Sequence, residues 1–365
     1  MTPLRRWLLV GLGVLLLAGV TVAPRLLPSA GDDIAADALL SRIREAEDRG
    51  YSGYVETSGT LQVPAADRFS DVGALFGEQT RLRVWWRDAD AWRVDRLLTA
   101  GETDLVHDAR STTEYDYEDA EARTSVDPDI RLPRTADLLP PALARRLLED
   151  VDEQDATRLD ARRIAGIAAP GLRLRPGSDR SSIDHVDLWA DPESGIPLRV
   201  EVYAAGSARA DFTSSFLDFS AERPDTDVVT FRPTSDTDVE FDDVLDIADA
   251  ANQYAPIRPP REVAGLAISD SARGAVGVYG VGLTELIAIP LRDREADPLR
   301  KQVRVTPRAV EVDLGVTVSI GPLGVLLTGD DGDDGWLVTG TVTQATLEEA
   351  ARDLIEGFVY IEDDR

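Results

Sequence analysis

The feature that most constrains this chain is a hydrophobic pattern of period two that persists over much of its length. Leu82, Val84 and Trp86 alternate with arginines and a second tryptophan, and a similar alternation resumes at 198–203. Successive side chains of a β-strand point to opposite faces, so this period is typical of strands with one buried face. Short turns rich in Asp, Pro and Gly separate the runs. The pattern therefore predicts an antiparallel meander.

Helical spacing replaces this alternation in three places. Residues 34–46 carry an apolar stripe, and residues 138–148 carry another around Pro140-Pro141, which suits a helix start. A third helix is predicted near the C-terminus, where Thr346 and Glu349 form a capping-box pair before an apolar face that includes Ile355. Sheets with a few helices packed on them belong to the α+β fold class.

The acid-rich stretch 236–258 is interpreted as a linker. It divides the soluble part into a larger β-rich unit, 32–235, and a smaller C-terminal α+β unit, 259–365. In the second unit, Gly280-Val281-Gly282 lacks the third glycine and the following helix of a dinucleotide site, so it predicts a bulge or turn.

The N-terminal segment, 1–31, is predicted to hold one transmembrane helix. Arg5-Arg6 precede an uncharged apolar run from Trp7 to Ala23, which would span about 26 Å as a helix. The positive flank should stay in the cytoplasm, so the rest of the chain is expected outside the cytoplasmic membrane. The run is longer than a typical signal-peptide core, which favours an uncleaved anchor, with cleavage and export as the alternative.

Composition excludes several classes of function. The absence of cysteine excludes disulfide frameworks, thiol catalysis and zinc–cysteine sites. Residues 32–365 contain 36 basic against 67 acidic residues, a formal net charge of −31. Such a body repels nucleic acid, so no nucleic-acid partner is expected.

Two longer motifs carry a resemblance to known proteins. Residues 183–200 contain the pattern Trp-x-Asp-x-x-x-Gly-Ile-Pro-Leu-Arg, and residues 278–284 read Val-Tyr-Gly-x-Gly-Leu-Thr before a hydrophobic strand. With the order of helix, meander and helical insertion, the chain resembles the LolA/LolB lipoprotein-carrier superfamily. More closely, it resembles the RseB/MucB-type sigma-E regulatory proteins and their relatives in high-GC Gram-positive bacteria.

The resemblance implies a curved antiparallel half-barrel sheet, covered by helices and enclosing an apolar cavity for acyl chains. Strand alternation and helical spacing then assign side chains to the core or to the lining of this cavity. On the strands they are Val84, Val186, Leu188, Leu198, Val200 and Val202, and on the covering helices they are Leu39, Ile43, Leu143 and Leu147.

No residue set predicts catalysis, a cofactor or a metal. His107 and His185 lie 78 positions apart in strand-like runs, so two ordinary strand histidines are favoured over a metal-binding pair. Hydrolase motifs such as Gly-x-Ser-x-Gly are absent from the sequence. The acidic run 330–335 lacks the spacing of a calcium loop, so a hairpin turn is favoured there. We therefore expect a protein that is not an enzyme.

Two classes of function stay open. The first is a membrane-tethered extracytoplasmic regulator that senses a lipid-like ligand or a partner membrane protein, such as an anti-sigma factor. The alternative is a carrier that moves the acyl chains of lipids or lipoproteins across the envelope. The predicted anchor and the second domain favour the regulator, because a diffusing carrier needs only the half-barrel.

Overall fold

The computed structural model of this 365-residue chain describes residues 34–60, 77, 79–149, 151–241 and 246–361. The apolar segment predicted as a membrane anchor lies outside these residues. Within the described ranges, no helix is both long enough and apolar enough to cross a membrane.

A large sheet of twelve strands dominates the described residues. Its spatial order is β12-β6-β5-β4-β3-β2-β1-β11-β10-β9-β8-β7, and all neighbours are antiparallel except β12 and β6. The sheet is curved and does not close, which agrees with the predicted half-barrel. The strands are β1 (Tyr51–Gly59), β2 (Thr80–Asp88), β3 (Ala91–Leu97), β4 (Glu102–Asp108), β5 (Ser111–Asp116), β6 (Glu121–Val126), β7 (Ala156–Ile164), β8 (Ile167–Leu174), β9 (Ile183–Ala190), β10 (Pro197–Ala204), β11 (Phe212–Ser220) and β12 (Asp238–Phe241).

The two faces of this sheet differ in chemistry. Cross-strand pairing places Val55, Val84, Val200 and Leu188 on one side, which we call the helix face. It is covered by α1 (Ala36–Glu45), a 3-10 helix (Thr135–Leu138) and α2 (Pro140–Leu147). The opposite side, the outer face, carries most of the charged side chains. This division follows from the period-two alternation in the sequence.

The C-terminal unit is built around a six-stranded antiparallel sheet of order β16-β17-β21-β20-β19-β18. Two two-stranded ladders, β13–β22 and β14–β15, accompany it. The elements are α3 (Ile247–Tyr254), β13 (Ile257–Arg258), β14 (Glu262–Val263), β15 (Leu266–Ala267), β16 (Gly277–Val281), β17 (Thr284–Leu291), α4 (Asp293–Val305), β18 (Val310–Val312), β19 (Gly315–Ile320), β20 (Leu323–Thr328), β21 (Gly335–Gly340), α5 (Gln344–Gly357) and β22 (Val359–Tyr360).

Two local predictions of turns are confirmed. Gly280 and Gly282 have φ of +67° and +62° in the β16–β17 hairpin, so the predicted turn is confirmed. The acidic run 330–335 joins β20 to β21, as expected of a hairpin turn. In the stretch 236–258, which is predicted as a linker, the described residues 236–241 and 246–258 include a strand and a helix. The stretch contributes β12 to the large sheet, and α3 packs into the core of the C-terminal unit. The domain boundaries themselves stay predictions.

The cap of the last helix is also a correction. α5 begins at Gln344, and Thr343 is its N-cap, accepting a hydrogen bond from the backbone of Thr346 at 3.3 Å. The predicted cap, Thr346, is instead buried inside the first turn. Ile355 is 42% exposed because it lies about 100° of helix rotation past Leu354, outside the buried stripe.

Replacing Thr343 by Ala should lower the free energy of unfolding by about 1 kcal/mol, the usual cost of losing an N-cap oxygen. Chemical denaturation of the two proteins measures this difference. Gln344→Ala is the matched control, since Gln344 is exposed in the same turn and caps nothing. Equal stability of Thr343→Ala and the parent would contradict the assigned cap.

Candidate functional site

The ten predicted lining residues all lie in the layer between the helix face and its covering helices. Eight belong to one apolar cluster: Leu39, Ile43, Val186, Leu188, Val200 and Val202 are buried there, and Leu143 and Leu147 pack against it half-buried. Val84 and Leu198 belong to the adjoining cluster on the same face. Several of these side chains expose no surface to a water molecule. A ligand in this layer would therefore have to displace part of its cover, and the open cavity stays a prediction.

Two short helices form much of that cover. α1 turns Leu39, Leu40 and Ile43 toward the sheet, the spacing of one helix face. The side chain of Arg44 donates hydrogen bonds to the carbonyls of Leu148 and Val151 just beyond α2, so the two helices are joined directly. Helices of ten and eight residues are too short to be stable alone, so packing on the sheet holds them in place.

A row of hydroxyl groups interrupts the apolar layer. Thr80, Thr57 and Ser214 are directly opposite one another on β2, β1 and β11, and all three are buried. Ser214 Oγ donates a 2.6 Å hydrogen bond to the Leu138 carbonyl of the 3-10 helix. Thr57 Oγ1 has no hydrogen-bond partner among the described residues, and neither has the buried Oγ1 of Thr135 at the start of that helix. A buried hydroxyl without a partner costs roughly 1–3 kcal/mol.

The C-terminal unit reaches into this same layer. Leu283, at the tip of the β16–β17 hairpin, is 5% exposed and belongs to the cluster that contains Leu39 and Val200. Its carbonyl accepts a 2.7 Å hydrogen bond from Ser181 Oγ, just before β9. Nearby, Arg146 of α2 forms a 2.7 Å ion pair with Glu285 of β17. The second unit thus contacts the large sheet through a hydrogen bond just before β9, and it contacts the covering helix α2 through an ion pair.

Four flat rings stack across strands β1 to β4 on the helix face. Tyr51, Trp86, Trp92 and His107 follow one another with ring centroids 5.1–6.0 Å apart and nearly parallel planes. Burial lowers the pKa of His107, so the neutral imidazole is favoured at neutral pH. His185 lies on the outer face, because it pairs with Tyr203 and alternates with Val186. The two histidines therefore occupy opposite faces and do not form one metal site.

The outer face carries an ion network that the sequence analysis missed. Arg93 bonds to Asp95 at 2.6 Å and to Asp104 at 2.7 Å, and Arg83 bonds to Asp95 at 3.3 Å and to Glu102. Both guanidinium groups also lie within 6 Å of the centre of the Trp85 ring. The signal was available, since Arg and Asp alternate with apolar residues along β3.

This network shifts one carboxyl group strongly. Asp95 and Asp104 are both buried and face each other across β3 and β4. Burial raises the pKa of Asp104 to about 8, and the negative charge of Asp95 adds to the rise. The carboxylates of Asp95, Glu102 and Asp104 lie close enough to share a cation. Two arginines already pair with these carboxylates, so the arrangement is best described as an ion network.

A polar cavity of about 300 Å³ lies at the seam between the two units. Ser207 and Asp211, near the β10–β11 turn, line one side, while Arg308, Ser319 and Gln344 of the C-terminal unit line the other. The lining of this cavity is mostly polar, whereas the predicted acyl-chain site is apolar. Asp211 is already engaged, accepting hydrogen bonds from the Ala204 amide and the Thr60 hydroxyl.

Comparison with known proteins gives similarities of fold. No protein-family model matches the chain, and no curated protein sequence matches it either. A chain of the Pseudomonas aeruginosa MucA/MucB complex aligns at 16% identity over 87% of this chain and 96% of its own length, with a TM-score of 0.49. A crystal structure of MucB aligns over the same shares at 16% identity and a TM-score of 0.46. A LolA superfamily protein from Nitrosomonas europaea covers 54% of this chain and 98% of its own, at 12% identity and a TM-score of 0.25.

The network around Asp104 predicts a pH dependence of stability. Its pKa is near 8 in the folded chain against an ordinary 3.8, so between these values the folded state holds a proton that the unfolded state has lost. Stability should therefore fall as pH rises through this window, with at most about 1.4 kcal/mol per pH unit from this group. Asp104→Asn keeps the group neutral and should flatten that fall.

Denaturation of both proteins at pH 5 and pH 8.5 checks this expectation. Asp331→Asn is the control, because Asp331 is exposed and its pKa is lowered by the hydrogen bond from Arg304, so it stays ionised throughout the window. A fall in stability of Asp104→Asn that matches the parent would show that Asp104 does not titrate in this range.

Proposed function

We propose that this chain is a membrane-tethered, extracytoplasmic binding protein that senses a lipid-like ligand and regulates a partner membrane protein. The observation that carries the proposal is the insertion of Leu283 into the apolar layer of the large sheet. One side chain of the C-terminal unit thereby occupies the space in which an acyl chain would bind. Occupancy of the layer and the position of the second unit are then linked.

The chemistry of the layer supports an acyl chain as the ligand. Burying a methylene group contributes about 0.8 kcal/mol, so a chain of ten methylenes would gain about 8 kcal/mol before the cost of displacing the cover. The unpartnered hydroxyl groups of Thr57 and Thr135 already disfavour the closed packing. A ligand that brings an oxygen atom beside its chain would satisfy at least one of them.

The contacts at the seam favour a regulator over a carrier. Entry of a chain beneath α2 would strain the ion pair between Arg146 and Glu285 and would compete with Leu283. The C-terminal unit would respond to the ligand, whereas a carrier needs no second unit. MucB has been solved in complex with MucA. The sequence resemblance to sigma-E regulators makes an anti-sigma factor the partner that we propose.

Replacing Leu283 by Ala should increase the affinity for a dansylated undecanoic acid by several-fold, because the truncation opens space that the chain can fill. The same change should destabilise residues 32–365 by about 2–5 kcal/mol, as expected for a buried leucine. Fluorescence titration and chemical denaturation measure the two effects.

Leu326→Ala is the matched control for this experiment. Leu326 is fully buried in β20, within the core of the C-terminal sheet, so its truncation costs stability without touching the layer. Its fatty-acid affinity should equal that of the parent. If neither the parent nor Leu283→Ala binds the probe, the layer is a filled core and the lipid-sensing proposal is wrong.

The extracytoplasmic placement has its own test. Because Arg5-Arg6 precede the apolar run, alkaline phosphatase fused after Arg365 should be exported and active. Deleting residues 7–23 from the same fusion supplies the control and should abolish that activity. An inactive fusion, expressed at full length, would contradict the proposed topology.

A further inference from the structure

The last strand of the large sheet is an open edge. Among the residues that the structure describes, β12 pairs only with β6, in parallel, and ends the strand order of that sheet. Each of its four residues is exposed, and Phe241 is exposed by 87%. The unpaired N–H and C=O groups of such an edge are a ready template for another strand.

Exposed apolar side chains line this edge on the outer face. Register places Val239 beside Ala122, and Ala122 beside Tyr115, so all three lie in one row across β12, β6 and β5. Within this row Val239 is exposed at the edge, Tyr115 is half-buried and Ala122 is buried. Phe241 stands in the next row beside Thr124. Val126, two residues beyond Thr124 on β6, is 74% exposed. An apolar strip therefore borders the free edge.

The same edge is strongly acidic. Residues 236–240 contain three acids and no base, and the β5–β6 turn, 116–121, contains four acids and no base. The turn and the strand are joined by a 2.9 Å hydrogen bond from the Asp238 amide to the Ala120 carbonyl. Arg123, the one basic residue of β6, is already paired with Glu121. The field at this edge therefore attracts cations.

We infer that the β12 edge binds an extended, basic segment of a partner protein, which adds to the sheet as a further strand. Main-chain hydrogen bonds would supply the pairing, lysines or arginines of the segment would face the acids, and an apolar residue would cover Phe241. A second copy of this chain is a poor occupant, because two acidic edges repel each other. Acidic side chains on an edge strand can serve only to prevent it from pairing with other chains. That role does not require an exposed phenylalanine, so Phe241 favours a binding surface.

The test uses the full chain in mild detergent and two fluorescent ten-residue peptides. The first alternates lysine with valine, and the second has the same charge but proline at three valine positions, which removes strand pairing. The first should bind at least tenfold more tightly. On its binding, hydrogen exchange at the amides of Val239 and Phe241 should slow. Equal affinity for the two peptides would reduce the effect to general charge attraction and overturn the inference.

Variants locate the binding surface. Val239→Ser combined with Phe241→Ser should weaken binding of the lysine–valine peptide about tenfold, with an unchanged circular dichroism spectrum. The matched control is Val359→Ser with Tyr360→Ser, which removes another exposed apolar pair, that of β22, and should leave the affinity unchanged. Equal loss in both double variants, or no loss in the first, would place the binding elsewhere and overturn the inference.

Discussion

The apolar helix face of the twelve-stranded sheet is the constraint on which the rest of the structure depends. A sheet this wide must bury one face, and the residues described between β6 and β7 supply only short helices for the purpose. α1, α2 and the 3-10 helix cover the middle of the face, and the β16–β17 hairpin adds Leu283 from the second unit. The C-terminal unit has a core of its own and in addition contributes one side chain to the apolar layer of the large sheet.

In the proposed function, this contact between the units gives the layer a regulatory use. The cover is held by a few specific contacts, such as Arg44 to the carbonyl of Val151 and Ser214 to that of Leu138. Thr57 leaves a hydroxyl without a partner beneath it. Under the proposed function, a ligand that enters the layer would displace Leu283 and disturb the β17 strand behind it. On the outer face, in contrast, the buried acids Asp95 and Asp104 are paired with arginines.

The sequence predicted the large sheet well and the contacts between units poorly. Strands with clear alternation are found where the pattern predicts them: the alternation at 82–86 lies within β2 (Thr80–Asp88), and the alternation at 198–203 lies within β10 (Pro197–Ala204). β6, β7 and α4 were missed because they are mostly polar, and α4 also contains Pro298 inside the helix and the fully buried Arg300. Periodicity, of two in the strands and 3.6 in the helices, assigned ten side chains to the core or the lining, and all ten lie in or against the two apolar clusters. It had no means to place Leu283 there, because nothing local in a hairpin tip says which distant surface it contacts.

Hydrogen exchange at the β16–β17 hairpin tests the central claim most directly. The measurement compares residues 32–365 with and without sodium myristate below its micelle concentration, following the amides of 281–285 and of α2. We expect faster exchange in 281–285 and in α2 when the fatty acid is bound, because its acyl chain displaces Leu283 and loosens α2. The amides of β20 should stay protected. Binding of myristate with unchanged exchange at the hairpin would contradict the account, since the ligand and the second unit would then be independent.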